Sequence, residues 1–205
     1  MQSTLSIRRA GPLDAAALAA FAARTFKETF GPENRPSDME AHLAVSYGHE
    51  QQARELSDPC YVTLLVVDDS RLVGFAQVRQ HEPPACVTGE APIELYRFYV
   101  DRGWQGKGVA QRLMTRVHAA ARAFGGCTLW LSVWERNPRA IAFYTKCGYL
   151  DVGTADFYVG PDRQTDRILV MPVAAPNAQL HLNESDATTA PRPGTWRRSA
   201  PSNPE

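Results

Sequence analysis

Long apolar runs, paired cysteines and an excess of either charge are all missing from this 205-residue sequence, and each absence excludes a class of protein. No stretch approaches the roughly 18 apolar residues that a membrane-spanning helix needs. The first residues, Met1 to Arg9, lack the order of positive then apolar segments that marks a secretory signal. Twenty-two Lys and Arg against 22 Asp and Glu leave a formal net charge of +0. That balance argues against nucleic-acid binding, which rests on phosphate neutralisation. The four cysteines, Cys60, Cys86, Cys127 and Cys147, are widely spaced and match no zinc pattern. They read as reduced thiols of a cytoplasmic protein, with Cys147, close to Tyr144 and Lys146, either in a packing role or beside a bound ligand. The histidines (His42, His49, His81, His118 and His181) form no local metal-ligand cluster, and no internal repeat is present.

What is present suits one well-cored domain: 44% of residues are hydrophobic and 21% charged. Leu5 to Arg9 reads as a strand. Pro12 opens a helix running to about Phe30, with Asp14 near its positive end and Leu18, Phe21, Ala22 and Phe26 as a buried stripe. Ser37-x-x-Glu40 is a capping-box pattern and predicts a second helix start there; Asp58-Pro59 closes that helical region. Tyr61–Val67 and Leu72–Arg79 are β-rich runs around a hairpin candidate, Asp68–Arg71. A loop over Glu82–Ala91 leads to the strand Ile93–Val100, on which simple alternation places Glu94, Tyr96 and Phe98 on one face. A helix follows and ends at Gly125-Gly126. Thr128–Trp134 is a strand, Pro138–Lys146 a helix, and Val152–Val159 and Arg167–Val173 are the last strands. The fold class is α/β (α+β): a mixed sheet of about seven strands flanked by about four helices.

This reading gives a domain over 1–173. From Ala174 to Glu205 the composition turns to Pro, Ser, Thr, Asn and Ala, which predicts a disordered tail. Within it, Trp196-Arg197-Arg198 is a docking element or simply part of a solvated tail.

The most informative stretch is Gln105-Gly-Lys-Gly-Val-Ala110. It follows a strand and opens a helix in which Val109, Leu113, Val117, Ala121 and Phe124 recur at three- and four-residue spacing. A glycine turn there aims unpaired N–H groups and the positive helix end at a diphosphate. Gly106 and Gly108 permit close approach, and Lys107 adds charge. The competing reading is a turn without a ligand.

Gln105-x-x-Gly108-x-Ala110 resembles the pyrophosphate motif of the Gcn5-related N-acetyltransferases (GNAT). Leu129-Trp-Leu-Ser-Val-Trp-Glu-Arg-Asn137 and Ala140-Ile-Ala-Phe-Tyr144-Thr-Lys-Cys-Gly148-Tyr149 resemble that family's second signature. The resemblance covers roughly Leu5 to Val173. Thr25–Phe30, Glu33-Asn34, Ser37–Leu43 and Phe157–Asp166 are similar to segments of the PaiA-type polyamine acetyltransferases. Membership implies a splayed strand pair holding acetyl-CoA, with no metal. It further implies an acyltransferase that acetylates a primary amine directly in a ternary complex. The subgroup implies spermidine or spermine; protein or peptide amines, aminoglycosides and a non-catalytic acetyl-CoA sensor are the alternatives. The implied partner is a small amine, neither nucleic acid nor membrane. Dimers are common in the family, so a homodimer is compatible with this reading.

The resemblance also implies site residues. Phe98, Tyr99 and Val100 would run beside the pantetheine arm, with an N–H near Val100 as oxyanion donor; sheet core is the structural alternative for Phe98 and Val100. Gln105, Gly106, Lys107, Gly108, Val109 and Ala110 would hold the diphosphate. Asn137 would meet the pantetheine amide or simply cap the next helix, and Lys146 would reach a phosphate or stay a surface lysine. Tyr144 is the implied general acid, since a phenol stays protonated at neutral pH; plain packing is its alternative. Glu94 is the candidate base, or else an ion-pair partner of Arg97 or Arg102. Glu28, Glu33 and Glu135 are further candidates for meeting a polycation.

Overall fold

The computed structural model describes residues 5–159 and 162–173; the expected tail lies outside the described residues. Seven strands form one sheet in the order β1-β2-β3-β4-β5-β7-β6, comprising β1 (Leu5–Arg9), β2 (Tyr61–Asp68), β3 (Arg71–Arg79), β4 (Pro92–Val100), β5 (Thr128–Trp134), β6 (Leu150–Val159) and β7 (Asp162–Pro172). Every neighbouring pair is antiparallel except β4 and β5, which run parallel. The helices are α1 (Ala15–Phe30), α2 (Pro36–Tyr47), α3 (His49–Ser57), α4 (Val109–Ala123) and α5 (Pro138–Lys146).

The helix count exceeds the expected four by one because Gly48 is extended (ψ 154°) and divides the second helical region into α2 and α3. The expected capping box at Ser37 does not form. Pro36 sits at the first helical position after Arg35, and the Ser37 hydroxyl meets Asp38 at 3.4 Å instead. Asp14 behaves as expected at the start of α1, accepting from the Gly11 N–H at 2.8 Å and pairing with Arg8.

Two apolar layers clamp the sheet. On one side Val109, Leu113, Val117 and Ala121 of α4 pack against Val78, Leu95 and Leu131, with Phe124 partly buried beside them. Each buried valine or leucine side chain contributes about 1.5–3 kcal/mol relative to exposure. On the other side Leu18, Phe21, Ala22 and Phe26 of α1 pack on Leu65 and Phe75.

Two irregularities of β4 shape the molecule. First, β4 pairs with β5 only over Pro92–Glu94 opposite Thr128–Trp130; beyond that point the strands part. Second, Tyr96 is an extra residue opposite β3, since Leu95 faces Val78 and Arg97 faces the adjacent Gln77. This bulge corrects the simple alternation expected for β4. Glu94, Arg97 and Tyr99 pair with Arg79, Gln77 and Phe75 on the α1 side, whereas Phe98 pairs with Ala76 in the α4 layer.

A buried network holds the bulge in place. Arg97, 4% exposed, donates to Glu55, to the Gln77 side chain at 2.8 Å, to the Ser46 carbonyl at 2.9 Å and to the Tyr96 hydroxyl at 3.2 Å.

Candidate active site

Where β4 and β5 part, a cleft of about 600 Å³ opens between them and is also lined by residues of α1, α2, α5 and β7. Its β4 wall presents main-chain groups. The Asp101 N–H donates to the Val73 carbonyl at 2.9 Å on the β3 side. Because these groups alternate along an antiparallel strand, the N–H groups of Phe98 and Val100 turn toward the gap. The Val100 carbonyl on that side accepts from Gln105 Nε2 at 2.9 Å, which ties the following turn to the strand.

That turn is anchored and then left open. The Asp101 carboxylate accepts from the Gly103 N–H at 3.0 Å and pairs with Arg24 at 2.8 Å. Gly106 (φ 75°) and Gly108 (φ 80°) adopt left-handed conformations, with no heavy atom within 4 Å of where a Cβ would sit. The bond from the Arg112 N–H to the Gly108 carbonyl, 3.1 Å, begins α4. The N–H groups of Val109, Ala110 and Gln111 therefore have no helical carbonyl to meet. Open space over uncommitted donors at a positive helix end fits the diphosphate of coenzyme A.

The other expected residues divide between cleft and surroundings. Glu94, Phe98, Tyr99, Val100, Gln105, Gly106, Ala110, Asn137 and Tyr144 all line the cleft. Val109 lies in the core, and Lys107 Nζ stands 5.5 Å from the centre of the Trp104 ring. Lys146 is exposed in the last turn of α5. Asn137 joins both of its readings, capping α5 through the Ala140 N–H at 3.1 Å while lining the cleft. Tyr144 is 8% exposed and packs edge-on against Phe98 and Tyr149. Burial, with nearby Cys147, pushes its hydroxyl above the ordinary phenol range, so it carries its proton at neutral pH.

On the α1 side the cleft has aromatic walls and three carboxylates. Phe30 meets Trp134 at 5.6 Å between ring centres, and His42, stacked on Phe26, meets Phe157 at 5.8 Å. Burial and the charge of Arg97 hold the His42 imidazole below its ordinary pKa. Glu28 pairs with Arg24 at 2.9 Å. Glu94, 5% exposed, accepts from Arg79 Nε at 2.5 Å, with neither Arg97 nor Arg102 as its partner. The Arg79 guanidinium lies 3.5 Å from the centre of the Tyr96 ring. Asp166, 6% exposed, has no cationic partner among the described residues, and its Oδ1 has no hydrogen-bond partner there.

Sequence reasoning missed Arg79, His42, Ser132 and Asp166 as cleft residues. Asp166 closes the PaiA-like run that begins at Phe157, His42 falls within the PaiA-like run Ser37–Leu43, and Ser132 falls within the second signature, so signals for these three existed; Arg79 carries none. Glu33 and Glu135 are not among the lining residues.

Comparison with known proteins agrees with this geometry. The model of the acetyltransferase (GNAT) family matches residues 22–149, more than half of the chain. An uncharacterised N-acetyltransferase of Mycobacterium tuberculosis is 32% identical over 157 residues, covering 77% of this chain and 96% of that relative. Among solved structures, the PaiA N-acetyltransferase of Thermoplasma acidophilum in complex with coenzyme A superposes with a TM-score of 0.67 at 20% identity, covering 82% of this chain and 99% of that one. The ribosomal-protein-S18-alanine N-acetyltransferase of Escherichia coli superposes with a TM-score of 0.62 at 18% identity, covering 87% and 100%. The chain belongs to the GNAT family and is an acetyl-CoA-dependent N-acetyltransferase. No helix among the described residues is long and apolar enough to cross a membrane, and none of their His, Cys, Asp and Glu side chains group to hold a metal.

Proposed function

We propose that the acceptor is a primary alkylamine and that a polyamine such as spermidine or spermine is the preferred member of that class. One observation carries the reading: the cleft containing the glycine turn also gathers Glu28, Glu94 and Asp166, from three separate elements, beside an aromatic wall. Carboxylates attract ammonium groups, and aromatic faces suit both cations and the methylenes between them. The PaiA-like segments at either end of the domain support the same acceptor. The cytoplasm suits this reaction, in keeping with four free cysteines.

The amine attacks the thioester directly, without a covalent enzyme intermediate. An N–H of the open β4 edge near Val100 meets the developing oxyanion. Tyr144 protonates the departing sulfur, and a carboxylate takes the proton of the amine. Glu94 is the residue that the family resemblance offers for that last task.

A second reading has an observation of its own. Glu28 and Glu94 each already hold an arginine, which leaves one carboxylate for a single ammonium group, as on a peptide amino terminus. Free-thiol release from acetyl-CoA across spermidine, spermine, diamines, an aminoglycoside and amino-terminal peptides separates the two. Release with polyamines alone supports the first reading. Release with peptides or the aminoglycoside alone keeps the enzyme and discards the polyamine. Acetyl-CoA binding with silence throughout favours a sensor.

A further inference from the structure

Asp166 sits on β7 directly opposite Trp134, the last residue of β5, on the wall of the cleft that faces α1 and α2. It is buried without a salt bridge, and its Oδ1 meets no donor among the described residues. Buried carboxylates are normally paired with a cation; here the Ser132 hydroxyl is the hydrogen-bonding neighbour and Oδ1 is left without a donor, which marks a place where a donor from outside belongs. Glu94 is in the opposite condition. Its Oε2 is bound to Arg79, whose guanidinium is itself held against the Tyr96 ring. That carboxylate already has its cationic partner within the protein, whereas Asp166 has none among the described residues.

We propose that Asp166, in place of Glu94, is the residue that accepts the proton of the attacking amine. The inference rests on the reading of the cleft as an amine acetyltransferase site. Trp134 and Phe157 flank the approach with apolar surface, and Ser132 lines it two residues before Trp134 on the same strand face. Glu135, just past β5, is the charged group that acts on Asp166, while His42, Glu28, the Arg79–Glu94 pair, Arg97, Arg102 and Arg139 line the same cleft. Burial above all, with Glu135 adding and Ser132 opposing, raises the Asp166 carboxyl to about 6. It is thus ionised at pH 7.5 yet more basic than an ordinary carboxylate.

The chemistry balances as follows. The ammonium group gives one proton to the Asp166 carboxylate, which becomes the acid. The freed nitrogen lone pair forms the C–N bond at the thioester carbonyl carbon. The C–S bond then breaks with its electron pair on sulfur, which takes the Tyr144 proton. The second proton lost from nitrogen restores Tyr144 through water, and Asp166 returns its own proton to solvent. One amide, one thiol and one proton result from one ammonium ion and one thioester.

The test is thiol release with spermidine from pH 5 to 9 for the wild type, Asp166→Asn and Glu94→Gln, with acetyl-CoA affinity measured by calorimetry. Asp166→Asn is expected to lower kcat by about 10²–10⁴-fold. It should also abolish the rising limb near pH 6 and leave acetyl-CoA affinity unchanged; Glu94→Gln should keep the limb. Methoxyamine, neutral at pH 7, should show a much smaller loss because its nitrogen lone pair is already free, and the one proton it loses is the one that restores Tyr144. In aspartate-labelled protein without acetyl-CoA, the carboxyl carbon signal absent from Asp166→Asn should titrate near pH 6 and shift to lower pH when spermidine is added. Asp166→Ala replaces Asp166→Asn if the latter fails to bind acetyl-CoA. A limb that survives in Asp166→Asn, or disappears in Glu94→Gln, overturns the proposal while the amine reading stands. A wild type that binds acetyl-CoA but acetylates no amine overturns both.

Discussion

The Gln164 side chain donates to Asn34 Oδ1 at 2.8 Å, fastening the beginning of β7 to the segment between α1 and α2. Phe157, opposite Gln164 in the β6–β7 ladder, contacts His42 of α2, so an aromatic contact also joins the β6–β7 pair to α2. These contacts hold the acceptor side of the cleft and leave the glycine turn untouched. Gln164→Ala is expected to raise KM for the amine severalfold without changing acetyl-CoA affinity. Steady-state kinetics with each substrate varied in turn decides this, and an equal loss for both substrates would contradict it.

Gly108 is the second prediction. Its φ of 80° is strained for any residue with a Cβ, and a side chain there would fill the open space that fits a diphosphate. Gly108→Val should therefore abolish acetyl-CoA binding and cost about 1–2 kcal/mol of stability. Calorimetry with acetyl-CoA and urea unfolding report the two effects separately. Binding that persists would remove the glycine turn from the site.

Tyr144 is expected to matter for turnover alone. With its hydroxyl acting as proton donor, Tyr144→Phe should reduce kcat by about 10²-fold or more while acetyl-CoA affinity stays within about a factor of two. Because burial raises this phenol, no descending limb below pH 9 should arise from Tyr144 in the wild type. Parallel losses of affinity and turnover would indicate packing alone.

Asp166 should also leave its mark on stability. Its folded-state carboxyl lies at about 6, above the ordinary value near 4. A raised carboxyl contributes stability that is fully present below pH 4 and is lost as pH rises through 6. The wild type should lose about 2–3 kcal/mol from this group between pH 4 and pH 7.5, and Asp166→Asn should not. The variant should therefore melt higher than the wild type at pH 7.5, with the difference shrinking toward pH 4. A difference that does not change with pH would contradict the assignment.

Much of the scaffold was legible because its signals are local. The spacing from Val109 to Ala121 marks the buried face of α4, and Gly106 and Gly108 occupy positions that demand positive φ. The features that were not legible depend on contacts between distant residues. One extra residue at Tyr96 reverses the phase of β4, and no residue type announces such a bulge. The partner of Glu94 followed from that phase, so Arg97 went to Glu55 and Arg79 took its place. β7 begins at Asp162, earlier than the apolar pattern suggests, because Asp162 to Asp166 is a polar run with little alternation to read. Asp166 consequently fell outside the expected strand, and its place beside Trp134 without a cationic partner among the described residues depends on the pairing of β5 with β7.

The central claim is that the cleft passes an acetyl group straight from acetyl-CoA to an amine. A single turnover tests it most directly: enzyme in excess over acetyl-CoA, quenched at intervals with and without spermidine, with the masses of protein and amine both recorded. The account predicts acetylated spermidine formed in step with free thiol, and a protein mass that never changes. An acetylated protein that forms without amine and then decays on adding it, or thiol release with no acetylated amine, would contradict it.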